Sequence, residues 1–367
     1  MAEPKTGIVL VGCGGIGRSH AAAVAALPDA RLVATVDVNE ARARAFAQRF
    51  GAETYASALA VVLDRDDVDA VIVTTANNLH APLTIQALAA GKHVMVQKPM
   101  AMTLAEADAM IDAAERSGKR LMVSFFELFH PAFKRAKELV DAGAIGDVFL
   151  LKAIMAWNSG LDNWRFDPAV SGGGILMDGH SHHIAFFTWL LNDPAIAHVY
   201  CEAGALASTA AVEDTGVILI RTPGVVAEIS GSNRLFEPNQ QNGAFFKESI
   251  EIFGTKGTIH IHPTERPSLK VFIEDGAAAE PLSGGWIAPR LEWVPYDERG
   301  YSTHFNGDED PWVGEHRHFV ACIREDRPIV TDGRFGRRVQ ELVLAAYESA
   351  QAQRAVRLPL TTDAVPE

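Results

Sequence analysis

The sequence predicts an α/β protein of two domains: a doubly wound parallel sheet over residues 1–124, then an α+β domain over residues 125–367 with an open, largely antiparallel sheet. Three observations carry this. The chain opens with an apolar strand that runs into glycines at G-x-G-x-x-G spacing. Short β-rich runs then alternate with helical stretches as far as residue 124, after which longer strands follow one another between turn residues. A length of 367 residues exceeds what one ordinary core accommodates and agrees with two domains.

The first strand, residues 8–11, leads into Gly12, Cys13, Gly14, Gly15, Ile16 and Gly17, and a helical Ala/Val run begins there. Backbone N–H groups at such a turn converge on a pyrophosphate, so Gly12, Gly14, Gly15, Ile16 and Gly17 read as the cofactor loop of a Rossmann domain. Cys13 reads as a small residue of that turn. The second strand, residues 32–36, ends on Asp37. A carboxylate there accepts hydrogen bonds from ribose hydroxyls and repels a 2′-phosphate, so NAD is expected in preference to NADP. Arg42 and Arg44 are the counterweight, being basic groups just downstream that can reach a phosphate. Strands at 70–74, 93–96 and 121–124 alternate with helices at 40–49, 82–90 and 104–117, and Gly51, Gly91 and Gly118 stand just past the helix ends as C-caps.

In the second domain a helix at 131–142 leads to a strand at 148–155, a polar loop containing tryptophan and a helix near 178–191. Strands at 196–204, 215–221, 225–232, 248–254, 258–262 and 269–274 follow, and their alternation reads as one sheet. Residues 276–312 carry Gly, Pro and aromatics with little periodicity, as binding loops or interface arms do. Helices at 311–323 and 334–352 and a short strand at 356–359 close the chain, with the last few residues expected to be disordered.

A net charge of −13 argues against nucleic acid or an anionic membrane as the main partner, because both need basic patches. Cys13, Cys201 and Cys322 form no C-x-x-C pair, which suits a reducing compartment and offers no cysteine metal site. Residues 1–5 lack a charged-then-apolar leader and no apolar run approaches membrane-spanning length, so a cytoplasmic protein is expected.

After Gly91 the chain reads Lys92-His93-Val94-Met95-Val96-Gln97-Lys98-Pro99, so the strand at 93–96 delivers Lys98 to the rim where α/β sheets bind ligands. This run resembles the G-K-H-V-x-x-E-K-P mark of the Gfo/Idh/MocA family, the relatives of glucose–fructose oxidoreductase and inositol dehydrogenase. Thr74-Thr75-Ala76-Asn77-Asn78-Leu79-His80 is similar to that family's T-P-N-x-x-H cofactor loop. Asn163-Trp164-Arg165 and Gly172-Gly173-Gly174-Ile175-Leu176-Met177-Asp178 resemble its W-R and G-G-G-x-L-x-D segments, so the likeness covers essentially the whole chain. It implies an NAD-dependent oxidoreductase in which Thr75, Asn77, His80, Gln97, Lys98, Trp164 and Arg165 join the cofactor set.

The resemblance also implies that Lys98, Asp178 and His182 stand at the carbon that exchanges hydride. The chemistry agrees: oxidising an alcohol needs a group to take the hydroxyl proton, and histidine titrates near neutrality. Lysine can do the same or stabilise a developing alkoxide. Asp178 and His182 are four residues apart on one helix face, and Asp178 is expected to orient and polarise. Phe126, Glu127, Trp157, Asn158, Arg165 and His183 complete the expected substrate wall, since Trp faces stack on sugar rings while polar groups satisfy hydroxyls.

Two positions depart from the family pattern. Gln97 replaces its glutamate and removes a charge next to Lys98; His180 replaces a glycine within Asp178-Gly179-His180-Ser181-His182-His183. Three imidazoles, with His316 and His318 elsewhere, invite a zinc reading, but their helical spacing does not converge on one ion and no metal is expected. His180 and His183 read as substrate lining or as helix-packing residues. The expected function is oxidation of a hydroxyl of a sugar, sugar derivative or cyclitol, by a homodimer or homotetramer associating through the C-terminal sheet. The alternatives are a redox-neutral glycoside-cleaving or epimerising enzyme that keeps its NAD, and a non-catalytic sugar or dinucleotide sensor.

Overall fold

The computed structural model describes residues 4–161, 163–235, 246–263, 268–273, 280–281, 286–288 and 310–360. The first part repeats a βα unit: β1 (Thr6–Val11), α1 (Gly15–Ala26), β2 (Ala30–Val36), α2 (Glu40–Phe50), β3 (Thr54–Ala56), α3 (Ala60–Leu63), β4 (Ala70–Val73), α4 (His80–Ala89), β5 (His93–Gln97), α5 (Leu104–Ser117) and β6 (Leu121–Ser124). The strands pair in the order β3-β2-β1-β4-β5-β6, all parallel. Every residue of β1, β4 and β6 is buried, as expected of strands covered on both faces. The order reverses between β1 and β4, and the crevice beyond their carboxyl ends is the ligand position of such sheets.

Local chemistry sets the helix limits. The Asn39 side chain accepts from the Arg42 N–H at the start of α2, and α2 ends at Gly51 with φ 75°. Thr103 and Glu106 form a reciprocal capping box on α5, which ends at Gly118 with φ 62°. α4 begins at His80, ahead of Pro82, because proline is tolerated in a first turn. β3, at three residues, is too short to announce itself by alternation.

The second part contains α6 (Pro131–Asp141), β7 (Val148–Trp157), α7 (Pro168–Ser171), a π-helical turn at Leu176–His180 that runs into α8 (Ser181–Leu190), β8 (His198–Gly204), β9 (Thr215–Arg221), β10 (Val226–Ser232), β11 (Phe246–Gly254), β12 (Gly257–Ile261), β13 (Leu269–Ile273), β14 (Glu280–Pro281) and β15 (Ile287–Ala288). These nine strands order as β14-β15-β13-β12-β11-β7-β10-β9-β8, antiparallel except for the β7/β10 pair. In β9 the buried residues Gly216, Ile218 and Ile220 alternate with exposed Val217 and Leu219, the signature of a sheet covered on one face. The expected strand at 356–359 reduces to one bridge between Val199 and Val356.

Two closing helices, α9 (Pro311–Arg324) and α10 (Gly333–Ala352), complete the chain. Its contacts divide it into two compact units, at Phe126/Glu127 and again at Gln340/Glu341. Residues 310–340, expected with the second domain, group with the parallel sheet. The backbone of Thr331 accepts from Val123 N–H at 2.8 Å, and its hydroxyl donates to the Val123 carbonyl at 2.7 Å. Most of 276–312 and the terminal residues 361–367 lie outside the described residues. Among the described residues no helix is long and apolar enough to cross a membrane.

Candidate active site

The glycine loop joins β1 to α1 in the parallel-sheet unit. Gly12 has φ +97°, and a Cβ there would stand 2.6 Å from the Thr74 carbonyl oxygen. A Cβ on Gly17 would stand 2.2 Å from the Gly12 carbonyl oxygen, so helix and loop approach as only glycine permits. Gly14 and Gly15 instead face open space, with nothing within 4 Å of a built Cβ. Gly14 is the N-cap of α1 and no side chain caps it, which suits a pyrophosphate. Burial pushes the Cys13 thiol up to about 12, with the Asp37 charge acting the same way, so it stays a neutral turn residue.

Asp37 is fixed at the end of β2. Its Oδ2 accepts from Cys13 N–H at 2.9 Å and its Oδ1 from Asn39 N–H at 2.8 Å, which ties the carboxylate to the glycine loop. A carboxylate has about four lone-pair sites, so room remains for ribose hydroxyls. The two arginines that favoured a 2′-phosphate are engaged with acids: Arg42 lies 3.6 Å from Asp37, and Arg44 donates to Glu40 at 3.1 Å.

Thr74 follows β4, with its hydroxyl 2.7 Å from the Gly12 carbonyl. Thr75 is half-buried and Asn77 buried on the same loop. His80 is buried, with Nδ1 2.8 Å from the Pro99 carbonyl and Nε2 3.2 Å from that of Thr75. Burial pushes it down to about 4, and the Lys98 charge acts the same way. The neutral ring braces the loop after β4 against the loop after β5. Lys98 is half-buried, and its backbone N–H donates to Gln97 Oε1 at 3.2 Å. Gln97 also reaches His20 and Ser124, two residues that the sequence reading passed over.

In the second unit the glycine run wraps a half-buried carboxylate. Glu213 Oε1 accepts from Gly174 N–H at 2.9 Å, Leu176 N–H at 3.0 Å and the Tyr347 hydroxyl at 2.7 Å. A Cβ on Gly174 would stand 1.9 Å from the Glu213 carbonyl oxygen, so the run is glycine for close approach. Glu213 thereby seats the π-helical turn that carries Asp178, although it lies 35 residues downstream of it. Gly179 is needed too, because a Cβ there would meet the Trp157 ring at 2.7 Å. Trp157 donates to the Ser159 hydroxyl at 2.6 Å, and Asn158 is exposed, bridged to Arg234.

Asp178 Oδ2 lies 3.4 Å from Arg165 Nε, and the Arg165 guanidinium rests over the Trp164 ring at 4.7 Å. His182 Nδ1 lies 3.5 Å from Glu127 Oε1, both side chains being buried. This acid–imidazole pair and the acid–guanidinium pair lie in the same unit. Phe126 belongs to the parallel-sheet unit, where it is buried and stacks on Trp312 with centroids 4.0 Å apart. His183 has no exposed surface, and its Nε2 lies 3.1 Å from Glu248 Oε1. Burial pushes Glu248 up and His183 down, which favours a neutral pair. His180 is equally buried, with Nδ1 3.1 Å from the Ile175 carbonyl. These contacts match helix-packing roles for both histidines. Among the described residues the metal-like grouping is His20, Glu315 and His316, not the histidine run.

Residues 6–125 match the oxidoreductase family with an NAD-binding Rossmann fold, and residues 133–260 match the Gfo/Idh/MocA C-terminal domain. The chain belongs to the Gfo/Idh/MocA family. It is an NAD-binding oxidoreductase. D-apiose dehydrogenase of Paraburkholderia graminis is 30% identical over 355 residues, 95% of this chain and 88% of its own length. Myo-inositol 2-dehydrogenase of Thermotoga maritima is 26% identical across 96% of this chain and 98% of its own. The structure of levoglucosan dehydrogenase in complex with NADH superposes with a TM-score of 0.83 at 25% identity, covering 97% of this chain and 99% of that one. The loop geometry around Gly14, Gly15 and Asp37 is what an NAD-holding member of the family requires.

Proposed function

We propose that this oxidoreductase oxidises a hydroxyl of a sugar, sugar derivative or cyclitol. The observation that carries the reading is the buried Glu127–His182 pair on the unit that also bears Asp178, Arg165 and Trp157. NAD, when bound, supplies the acceptor for the hydride that leaves the carbinol carbon. Gly12, Gly14, Gly15, Ile16 and Gly17 would hold its pyrophosphate and Asp37 its ribose, while Thr75, Asn77 and Gln97 shape the rim and His80 braces it.

The chain's own work is with the proton. His182 takes the hydroxyl proton on Nε2, and Glu127 beside Nδ1 stabilises the imidazolium that forms. Lys98 contributes a charge that stabilises the developing alkoxide. Asp178 accepts from a neighbouring hydroxyl, with Arg165 holding its carboxylate in place. Trp157 and Asn158 offer a ring face and an amide to the substrate, and Trp164 supports Arg165. D-apiose, myo-inositol and levoglucosan dehydrogenases among the relatives support this substrate class. Phe149, Val217, Leu219 and Phe272 are exposed on β7, β9 and β13, which supports association of chains through the sheet.

A screen of inositols, aldoses, uronic acids and glycosides for NADH formation tests the reading. NADH released in step with substrate consumed is expected. Tight NAD binding with no turnover of any polyol would favour a sensor, and product without released NADH a redox-neutral enzyme.

A further inference from the structure

Behind Lys98 lies a buried polar cluster drawn from α1, β5, β6 and α9. Gln97 Nε2 is 2.7 Å from His20 Nε2 and 3.1 Å from Ser124 Oγ. His20 Nδ1 is 3.0 Å from His316 Nε2, and His316 Nδ1 is 2.7 Å from the Trp312 carbonyl. Ser124 Oγ is 2.8 Å from Glu315 Oε2. His20, Ser124, Glu315 and His316 have no exposed surface and Gln97 is 4% exposed, so each proton must find its acceptor within the cluster.

The directions follow from one fixed end. Gln97 Oε1 is taken by the Lys98 N–H, so the amide turns its NH2 group inward. One of its protons goes to His20 Nε2, which must therefore be the bare nitrogen. His20 then carries its proton on Nδ1 and gives it to His316 Nε2, and His316 gives its own Nδ1 proton to Trp312. The other Gln97 proton goes to Ser124, whose hydroxyl donates onward to Glu315. Both imidazoles are satisfied while neutral.

We propose that Gln97, His20, His316, Ser124 and Glu315 form one hydrogen-bond relay of fixed direction that positions Lys98, and that it requires an amide at 97. The catalytic half of this statement rests on the function proposed for Lys98; the direction of the relay does not. A glutamate at 97 accepts only, so His20 Nε2 would need a proton and its Nδ1 would face the bare Nε2 of His316. It would also set a second carboxyl against Ser124, opposite Glu315. The ionisable groups around the relay are consistent. Burial holds His20 well below its ordinary value and His316 at about 4, and raises Glu315 to about 8 against the Ser124 hydroxyl and Phe125 N–H. Asp310, the N-cap of α9, adds to the rise in Glu315.

The same atoms explain why the metal-like spacing of His20, Glu315 and His316 does not demand an ion. A cation would need His20 Nδ1 and His316 Nε2 both bare, whereas the relay places a proton between them.

The test is long-range 1H–15N spectroscopy of the full chain labelled at histidine, with peaks assigned by His20→Asn and His316→Asn. Both rings are expected neutral with the proton on Nδ1 throughout the neutral range. A His20 proton on Nε2, or His20 Nδ1 and His316 Nε2 both bare with bound zinc by elemental analysis, overturns the proposal without touching the proposed activity. Gln97→Glu is expected to move the His20 proton to Nε2 or to make the ring an imidazolium. In the sugar-dependent assay it should lower kcat about 10- to 100-fold, the cost of misplacing a reacting group. A Gln97→Glu chain with unchanged His20 and His316 resonances and unchanged kcat also overturns it.

Discussion

Replacing Asp37 by Asn is expected to change cofactor choice by an amount that the geometry sets. Two backbone donors converge on the carboxylate, Cys13 N–H at 2.9 Å and Asn39 N–H at 2.8 Å, and an amide can accept from one while presenting NH2 to the other. That distorts the glycine loop, but the distortion weakens NAD and NADP alike and cancels in the ratio of their dissociation constants. What remains is specific to the ribose. A hydroxyl bond to a charged acceptor is worth about 1.5 kcal/mol at the low end, which NAD loses. A carboxylate about 4 Å from a 2′-phosphate repels it by about 1 kcal/mol in a water-like medium, which NADP recovers. Together these come to about 2.5 kcal/mol, or about 60-fold in the ratio. Arg42, released from its 3.6 Å contact with Asp37, pushes the same way. Calorimetric titration of both cofactors into wild type and variant measures the ratio directly, with a melting curve to confirm folding. A folded variant whose two dissociation constants rise by the same factor would refute the argument, because it would mean that Asp37 serves only the loop.

Gly17→Ala places a methyl 2.2 Å from a backbone oxygen that cannot rotate away, so a lower melting temperature and loss of NAD binding are expected together in a thermal-shift titration. Glu127→Gln leaves the shape of the His182 contact and removes the charge that supports its protonated form; kcat is expected to fall about 100-fold in steady-state assays, the low end of acid–base contributions, with the KM for NAD near wild type. Glu315→Gln is a test of pH dependence. The folded carboxyl sits at about 8 and an exposed one at 4.5, so between those values the folded chain holds a proton that the unfolded chain has lost. That contribution to stability is present below pH 4.5 and disappears as pH rises through about 8. The variant should therefore gain in melting temperature relative to wild type on going from acid to mildly alkaline buffer, and parallel curves would refute the assignment.

The parallel sheet was legible because its signals are local. The strand into Gly12, the carboxylate at Asp37 and the glycines after α2, α4 and α5 each report on a few adjacent residues, and the structure differs there mainly in strand ends and in β3. The antiparallel sheet was legible from alternation, although the parallel β7/β10 pair was not, since nothing in a strand's own pattern names its neighbour. Site residues split the same way. Asp178 and His182 stand in a recognisable run, whereas Glu213 supports that run from far along the chain and Glu248 meets His183 from β11. Those two carry no local motif, and nothing in their own stretch of sequence announces the contact each makes. Phe126 and His183, both offered as substrate lining, are buried, Phe126 against Trp312 and His183 against Glu248.

The two positions where this chain leaves its family pattern have different physical meanings. His180 sits with its ring buried and Nδ1 against the Ile175 carbonyl, five residues back, a spacing that belongs to the π-helical turn. Glycine is demanded one residue earlier, at Gly179, where the Trp157 ring leaves no room for a Cβ; at 180 there is room for an imidazole that reinforces the turn carrying Asp178. Gln97 is of another kind. It touches the backbone of Lys98 directly, and its amide gives two protons and accepts one, a count that a carboxylate cannot match without recharging His20. A substitution at 180 therefore acts on how firmly the turn is held, and one at 97 on where protons reside next to Lys98. On the role proposed for Lys98 the second acts at the reacting centre, so pH profiles rather than melting curves will separate the two.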